Sequence, residues 1–474
     1  MLKPANWKGD PECGHEVACA HQTHYCIYIR VPRLLTLQHP QTPDDLLLIA
    51  AFQWYELWFK VLLVDLRAAL ADDGTTYEPV KLLRRGVELF NLFGAHADFA
   101  ESVIVRGAGL TQPVRVSGAL AASEQFNALA ALTRRLSRFG RMTFPGLAEA
   151  ARDYAAHFKT FRARFRKFLK DTLIPRRSKT ATYAGWLCLP ELLALQDGPK
   201  SAWHEPGAQP TALMATEDMS ADENMFVIAH QAFEVWFKVM LDHIDHATQA
   251  LLRGDVTSAT TLCWRINRLQ RWLTQQIQIP ATMLPLDFLR FRSQKMERDG
   301  KLYQTGLSPA SGTESYQFRE IEIACGLRGD EVFQKYLEGH PTLPIRLLTP
   351  RQARRMEQPT LEEAFVLAVR ARGIRRMDDL FTVASAPNPH IDLAHLADIL
   401  IEFDEFFRFW RLWHMSMVEK MIGAKSGTGF LGPEYLMETA GVRVQAKNRV
   451  FDERQIRPRF FEELWAVRTR MGSY

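Results

Sequence analysis

The chain has 474 residues, of which 47% are hydrophobic and 24% are charged, and its formal net charge is +5. This length accommodates two or three domains of ordinary globular composition, and so mild a charge gives no reason to expect nucleic acid as a partner. No apolar run approaches the roughly 20 residues that cross a bilayer. The N-terminus also lacks the apolar stretch of a signal peptide, so we expect a cytoplasmic protein without a membrane partner.

Six cysteines are spread along the chain, and we expect them to be free thiols. Cys13, Cys19 and Cys26 alternate with histidines in an N-terminal tract of the kind that can bind zinc. The tract lacks the paired spacing of zinc sites, so we favour a plain N-terminal arm. A Cys-x-x-Cys-His sequence is absent, which excludes covalently attached haem.

Helical periodicity dominates the chain and strand-like alternation is scarce, so the sequence predicts an all-α helical bundle. The predicted helices of the first part are 44–71, 85–99, 120–137 and 147–173. The polar segment after Pro175 predicts a linker, and we place a domain boundary there, between residues 1–175 and 176–474. The predicted helices of the second part are 222–253, 257–278, 285–296, 313–325, 360–371, 376–382 and 392–422, the last ending before Gly423.

Two segments of the first domain recur in the second domain in the same order. Residues 50–63 (AAFQWYELWFKVLL) align without gaps with residues 228–241 (IAHQAFEVWFKVML). Upstream of them, Tyr25–Gln38 aligns with Tyr183–Gln196. Ordered repeats of this kind indicate an internally duplicated chain.

Two histidines of the second domain lie on apolar helix faces. Helical spacing puts Phe226 on the same face as His230, and Trp410 on the same face as His414. A flat, largely apolar prosthetic group such as haem needs such a pair, with one imidazole on the iron. The alternative for either residue is a core histidine bonded to a backbone carbonyl.

Both histidines have phenylalanine counterparts in the first domain. Phe52 aligns with His230, and a weaker match of residues 158–169 with 407–418 puts Phe165 opposite His414. Two residues that serve one ligand are expected to be lost together. We also find no counterpart of the block that ends at Arg319, so we expect the first domain to be free of haem.

Four blocks of the second domain resemble, in order and approximate spacing, the tryptophan 2,3-dioxygenase family, the haem enzymes that open the indole ring. The blocks are Thr182–Leu193, Asp222–Lys238, Ser308–Arg319 and Trp410–Gly429. The resemblance implies a haem-dioxygenase-like helical fold, non-covalent haem b, and an indole amino acid and O2 as substrates. It covers about residues 181–440.

The resemblance also implies roles for individual residues. His414 would be the proximal ligand of the haem iron, and His230 the catalytic distal histidine near the indole N–H. Phe226 and Trp410 would line the haem pocket.

The amino-acid end of the substrate has its own candidates by the same resemblance. Arg319 would bind the substrate carboxylate, because its planar guanidinium suits a bidentate pair. The alternative is a solvated arginine paired with Glu320 or Glu322. Thr428, in a Gly-Thr-Gly loop, would meet the substrate ammonium and close over it; the alternative is a flexible connector.

In the family a segment at the N-terminus reaches into the pocket of a neighbouring subunit, and this chain carries two versions of it. Tyr183 and Leu187 match the family segment directly, whereas Tyr25, Tyr28 and Ile29 belong to the first domain and keep both tyrosines. We expect the first-domain segment to cap the pocket of the second domain. The chain would then be a pseudo-dimer that forms a homo-oligomer of two chains; the alternative is that residues 20–38 are simply a core helix.

Departures from the family pattern leave the reaction open. Trp186 stands where the family has tyrosine, and Thr313 and Glu314 replace Phe-Gln. We expect a dioxygenase that converts L-tryptophan or a modified tryptophan to an N-formylkynurenine-type product. The alternatives are a haem-dependent monooxygenase of an indole or aromatic amino acid, and a haem- or indole-binding sensor without turnover.

Overall fold

A computed structural model describes most of the chain. The described residues are 24–40, 43–105, 113–115, 123–141, 144–171, 173–175, 182–196, 201–203, 212–214, 219–292, 294–298, 301–305, 307, 312, 315–328, 350–423, 425 and 459–471. The predicted linker after Pro175, the Cys13 and Cys19 part of the N-terminal tract, and Thr428 lie outside these residues.

The described part of the chain is predominantly helical, which confirms the predicted fold class. The labels first and second domain are kept for residues 1–175 and 176–474, the division predicted from the sequence. The helices of the first domain are α1 His24–Ile29, α2 Val31–Leu35, α3 Pro43–Ala71, α4 Glu78–Ala100, α5 Glu124–Thr133 and α6 Leu147–Asp171. Those of the second domain are α7 Tyr183–Trp186, α8 Leu189–Ala194, α9 Ala221–Leu252, α10 Val256–Leu273, α11 Pro285–Arg292, α12 Tyr316–Cys325, α13 Pro350–Glu357, α14 Leu361–Ala371, α15 Ile391–Ile422 and α16 Glu462–Arg470.

Short antiparallel strand pairs supplement the helices. The paired strands are β1 Pro113–Arg115 with β2 Leu173–Pro175, β3 Ser201–Trp203 with β4 Ala212–Met214, and β5 Gln294–Arg298 with β6 Lys301–Thr305. The predicted helix 285–296 is therefore wrong in its last turn, because the chain leaves the helix after Arg292. The Asp-Gly dipeptide between β5 and β6 is the signal of a two-residue hairpin and accounts for the difference.

Helix α3 is the central helix of the first domain and packs against α9 of the second. Its segment Asp45–Ala71 is long and apolar enough to cross a membrane by length and composition, contrary to the expectation from sequence. In the structure 89% of its most apolar window is buried inside the protein. Trp54 and Trp58 on α3 and Trp236 on α9 are fully buried, so these two helices form the shared core of the domains.

A buried ionic network fixes the start of α9, the helix that carries His230. Ser220 caps it by accepting a hydrogen bond from the Glu223 N–H at 3.1 Å. Asp222, in the first turn, accepts from Lys81 Nζ at 2.9 Å and pairs with Arg85. Lys81 and Arg85 belong to α4. Helix α4 of the first domain therefore stabilises the N-terminus of α9, the central helix of the second domain.

Candidate functional site

The His230 imidazole presents an unprotonated nitrogen to the site. Its Nδ1 lies 2.8 Å from the Phe226 carbonyl oxygen, which only accepts, so Nδ1 carries the hydrogen. Burial lowers the pKa of His230, and the ring is neutral with an acceptor at Nε2. A Cβ built on Gly312, in the Ser308–Arg319 block, would lie 3.9 Å from that Nε2. The carbonyl bond of a core histidine is thus present, but it serves to orient Nε2.

The His414 imidazole on α15 makes no hydrogen bond to any residue in the described part of the chain. It stacks on Trp410 with a ring-centroid distance of 5.3 Å. Burial, with a smaller contribution from the nearby His230, lowers the pKa of His414 to about 4. A neutral imidazole with an unused lone pair is the donor that a haem iron needs, so His414 fits the axial position.

Aromatic rings form the walls around the two histidines. The ring centroid of Phe226 lies 4.4 Å from that of His230. It lies 5.8 and 5.5 Å from the ring centroids of Phe288 and Phe291 on α11. Trp410 is flanked by Phe233 at 6.1 Å and Phe318 at 5.1 Å. The sequence analysis missed Phe288, Phe291 and Phe318 as wall residues. For α11 the only signal was the i, i+3 spacing of two phenylalanines.

The first-domain segment lies directly along α9. The Tyr25 ring meets His230 edge-on at 5.7 Å, and the Tyr28 hydroxyl donates to Glu223 Oε1 at 2.8 Å. The Ile29 carbonyl accepts from Gln231 Nε2 at 2.9 Å. All three segment residues are buried, and the structure therefore brings Tyr25, Tyr28 and Ile29 to the helix that carries His230.

Tyr183 and Leu187 have the reciprocal position on the first domain. The Tyr183 hydroxyl donates to Glu56 Oε1 at 2.9 Å, and its ring lies 6.1 Å from Phe52. The Leu187 carbonyl accepts from Gln53 Nε2 at 2.9 Å, and Trp186 packs on Phe52 at 5.7 Å. The contacts found for Tyr183 and Leu187 are thus with α3. They do not bring these two residues to His230, and the family match concerns the pocket of a neighbouring subunit, which a single chain does not test.

Arg319 is buried on α12, with 3% of its surface exposed. Its Nη1 donates to Glu322 Oε2 at 2.6 Å, and Arg411 Nη2 donates to Glu322 Oε1 at 2.8 Å. The alternative of a solvated arginine is wrong, because the side chain is buried. The ion pair with Glu322 that this alternative named is present. The Glu322 carboxylate therefore joins Arg319 of α12 to Arg411 of α15.

The first domain fills the equivalent space with aromatic side chains. Phe165 lies 4.6 Å from Tyr55 and 5.7 Å from Phe126, and Phe52 is 1% exposed. Positions 52 and 165, which align with His230 and His414, both hold phenylalanine. The partly exposed His230 and His414 contrast with these buried rings.

A segment of the first domain resembles the end of the arginine block, and this likeness was not predicted from the sequence. Ser123 caps α5 by accepting from the Phe126 N–H at 3.1 Å, as Ser315 caps α12 by accepting from the Phe318 N–H at 3.2 Å. The two capped segments read Ser-Glu-Gln-Phe-Asn and Ser-Tyr-Gln-Phe-Arg. Asn127 therefore occupies the place of the arginine.

The described part of the chain contains no other metal-binding constellation. Cys26, Cys188, Cys263 and Cys325 are free thiols, as expected. No group of three or more His, Cys, Asp or Glu side chains in the described residues could hold a metal ion.

Comparison with known proteins identifies the family of this chain. A family model for tryptophan 2,3-dioxygenase matches residues 207–382. The tryptophan 2,3-dioxygenase of Nocardioides sp. is 32% identical over 258 residues, which cover 52% of this chain and 84% of that protein. That of Herpetosiphon aurantiacus is 30% identical over 308 residues, 61% of this chain and 98% of the relative. That of Caulobacter vibrioides is 29% identical over 310 residues, with the same coverage of 61% and 98%. The chain belongs to the tryptophan 2,3-dioxygenase family.

Proposed function

We propose that this protein is a haem-dependent dioxygenase that opens the indole ring of L-tryptophan or a modified tryptophan to an N-formylkynurenine-type product. The observation that carries the proposal is the pair of neutral imidazoles, His230 and His414, among aromatic walls. Family membership implies haem, and the free lone pair of His414 fits its iron. His414 would hold the iron, and Phe226 and Trp410 would line the macrocycle. When bound, haem supplies the oxygen chemistry.

The protein's own contribution is to bind and orient the indole amino acid. His230 Nε2 accepts a hydrogen bond from the indole N–H, because Nδ1 is committed to the Phe226 carbonyl. Arg319, whose block matches the family pattern, binds the carboxylate of the substrate. Thr428 meets the ammonium group. The aromatic walls exclude water from the indole, which strengthens each of these polar contacts.

We propose that residues 1–175 are a degenerate copy of the catalytic domain. Three pairs of equivalent contacts between the domains support this. Gln231 Nε2 donates to the Ile29 carbonyl and Gln53 Nε2 to the Leu187 carbonyl, both at 2.9 Å. The remaining pairs, Lys238 to Leu35 with Lys60 to Leu193, and Tyr25 to Glu234 with Tyr183 to Glu56, follow the alignment of the two repeats.

In this arrangement the N-terminal segment of each domain packs on the other domain, so each chain is a pseudo-dimer. Its single proposed haem pocket is capped by a segment of the same chain. Tyr25 and Tyr28 take the role that a neighbouring subunit has in the family. Two such chains would reproduce the four-domain family assembly, so we propose a homodimer. The rings of Phe52 and Phe165 leave the first domain without a haem site.

The test is single-turnover chemistry with isotopic oxygen. The haem-loaded protein, reduced and supplied with L-tryptophan under 18O2, is expected to give a product that contains two 18O atoms. One 18O atom would establish the monooxygenase alternative instead. Binding of haem and tryptophan without any product would establish the sensor alternative.

A further inference from the structure

Glu234 joins two parts of the site that are far apart in the chain. It lies one helical turn after His230 on α9 and is fully buried. Its Oε1 accepts from the Tyr25 hydroxyl at 2.9 Å, and its Oε2 accepts from Gln317 Nε2 at 2.8 Å. The same amide group also donates to the Glu234 backbone carbonyl at 2.7 Å. One carboxylate therefore fastens the cap segment with one oxygen and helix α12 with the other.

Both fastened elements act on the substrate. The Tyr25 ring contacts His230, so the cap position depends on where the tyrosine hydroxyl is held. Gln317 is two residues before Arg319 on the ten-residue helix α12, and a shift of Gln317 moves the guanidinium with it. A buried carboxylate that loses one hydrogen-bond donor is left with an uncompensated desolvation cost. Each of the two hydrogen bonds therefore stabilises the buried carboxylate on which the other depends.

The first domain contains the same fastening without the catalytic residues. Glu56 is also fully buried; its Oε1 accepts from Tyr183 at 2.9 Å and its Oε2 from Gln125 Nε2 at 2.8 Å. Asn127 follows Gln125 where Arg319 follows Gln317, and Phe52 replaces His230. We call such a carboxylate, hydrogen-bonded to two separate segments, a clasp. The Glu56 clasp of the first domain is structural, whereas the Glu234 clasp of the second domain holds residues that meet the substrate.

We propose that Glu234 is a positioning residue that couples the cap segment, residues 24–38, to the carboxylate-binding Arg319. The inference rests on the proposed function and adds a residue that touches neither haem nor substrate. Closing of the cap over the indole and alignment of the arginine become one event. A ligand with both an indole and a carboxylate then binds more tightly than the separate parts would indicate.

Glu234→Gln tests the coupling, and Glu56→Gln is its matched control. Gln keeps the shape but replaces one acceptor with a donor facing the donor of Gln317. Both variants are expected to lower the melting temperature by similar amounts. Only Glu234→Gln is expected to raise the equilibrium dissociation constant of L-tryptophan, by about tenfold for one charge-assisted hydrogen bond. Equal dissociation constants in the two variants would overturn the proposal.

Tyr25→Phe separates coupling from local contact. The variant keeps the ring against His230 but removes the donor to Glu234, and the hydroxyl has no contact with the carboxylate end of the ligand in this account. Coupling predicts a larger loss of affinity for L-tryptophan than for 3-methylindole, and no further loss when Tyr25→Phe is added to Glu234→Gln. Additive losses in the double variant would contradict the shared path.

Hydrogen exchange tests the clasp independently of substrate. In Glu234→Gln, peptides from residues 24–38 and from 315–328 are both expected to exchange faster, whereas Glu56→Gln accelerates 182–196 and 123–133. Acceleration of only one of the two peptides would overturn the coupling even if binding changed. Failure of the wild-type protein to bind both L-tryptophan and ring-substituted tryptophans would instead contradict the proposed function and leave this exchange result standing.

Discussion

The ring centroids of Tyr25 and His230 lie 5.7 Å apart in an edge-on arrangement, although 205 positions separate the two residues in the chain (230 − 25). The contact joins the first domain to the histidine of the second. In the proposed function, residues 1–175 contribute a wall of the neighbouring pocket, although Phe52 and Phe165 stand where the second domain has His230 and His414.

Removal of that wall should weaken substrate binding and leave haem in place. Tyr25→Ala is expected to raise the dissociation constant of L-tryptophan roughly tenfold, the cost of one buried aromatic contact. Calorimetric titration measures it, and the absorbance of the haem band measures haem content. Tyr183→Ala is the matched control, because Tyr183 contacts Phe52. Loss of binding in the control but not in Tyr25→Ala would refute cross-capping.

The histidines are expected to separate haem retention from turnover. His414→Ala should abolish haem retention or the histidine-ligated ferrous spectrum, because no other imidazole stacks on Trp410 in the described residues. His230→Ala should retain haem and lose turnover by about 10²–10⁴-fold, the usual contribution of a positioned acid–base group. Optical spectra and initial rates measure the two effects. An unchanged ferrous spectrum in His414→Ala would show that the ligand is elsewhere.

The fused chain should bind about one haem, the expectation for a single axial histidine. Iron analysis against protein concentration measures the ratio. The double substitution Phe52→His and Phe165→His should not create a second site, because Tyr55 and Phe126 pack against Phe165 and leave no slot for a macrocycle. Two haems per wild-type chain would contradict a degenerate first domain.

The local features of the fold could be predicted from sequence because their causes are local. Helix α9 follows from apolar spacing and a serine cap, and α15 ends at Gly423, whose φ of 60° suits glycine. The hairpin after α11 was missed because its two strands are short. The likeness between the segment 123–127 and the end of the arginine block was missed because Asn127 stands where that block has Arg319.

The site itself depends on contacts between distant segments, which periodicity does not contain. Nothing in the sequence pairs Glu322 with both Arg319 and Arg411, since the second partner is 89 positions away. The same holds for Glu234, whose two partners come from different domains. The histidines were identified because the repeat provided an internal comparison.

Arg319 should determine the preference for an amino-acid side chain on the indole. Arg319→Ala removes a charge-assisted pair of about 1.5–3 kcal/mol, so KM for L-tryptophan should rise by about 10- to 150-fold. The KM for 3-methylindole, which has no carboxylate, should change far less. Arg319→Lys keeps the charge and should recover part of the loss. Equal losses for both ligands would mean that the arginine serves only to neutralise Glu322.

Acid should destabilise the first domain through His96. This residue is fully buried, stacks on Trp54 at 4.4 Å, and has its Nδ1 2.8 Å from the Tyr55 hydroxyl. Burial lowers the pKa of His96 to about 3, whereas the unfolded chain binds the proton near pH 6.5. The neutral imidazole therefore contributes stability above pH 6.5 that is lost progressively as the pH falls toward 3.

His96→Phe isolates this effect, because phenylalanine keeps the ring stack and cannot take up a proton. The variant is less stable than wild type by a constant amount, since the Tyr55 hydroxyl loses its partner. Between pH 6.5 and 4.5 the wild type should lose about 2 kcal/mol of unfolding free energy relative to the variant. Urea unfolding at several pH values measures the difference. Parallel pH profiles for the two proteins would show that His96 takes up its proton without unfolding the domain.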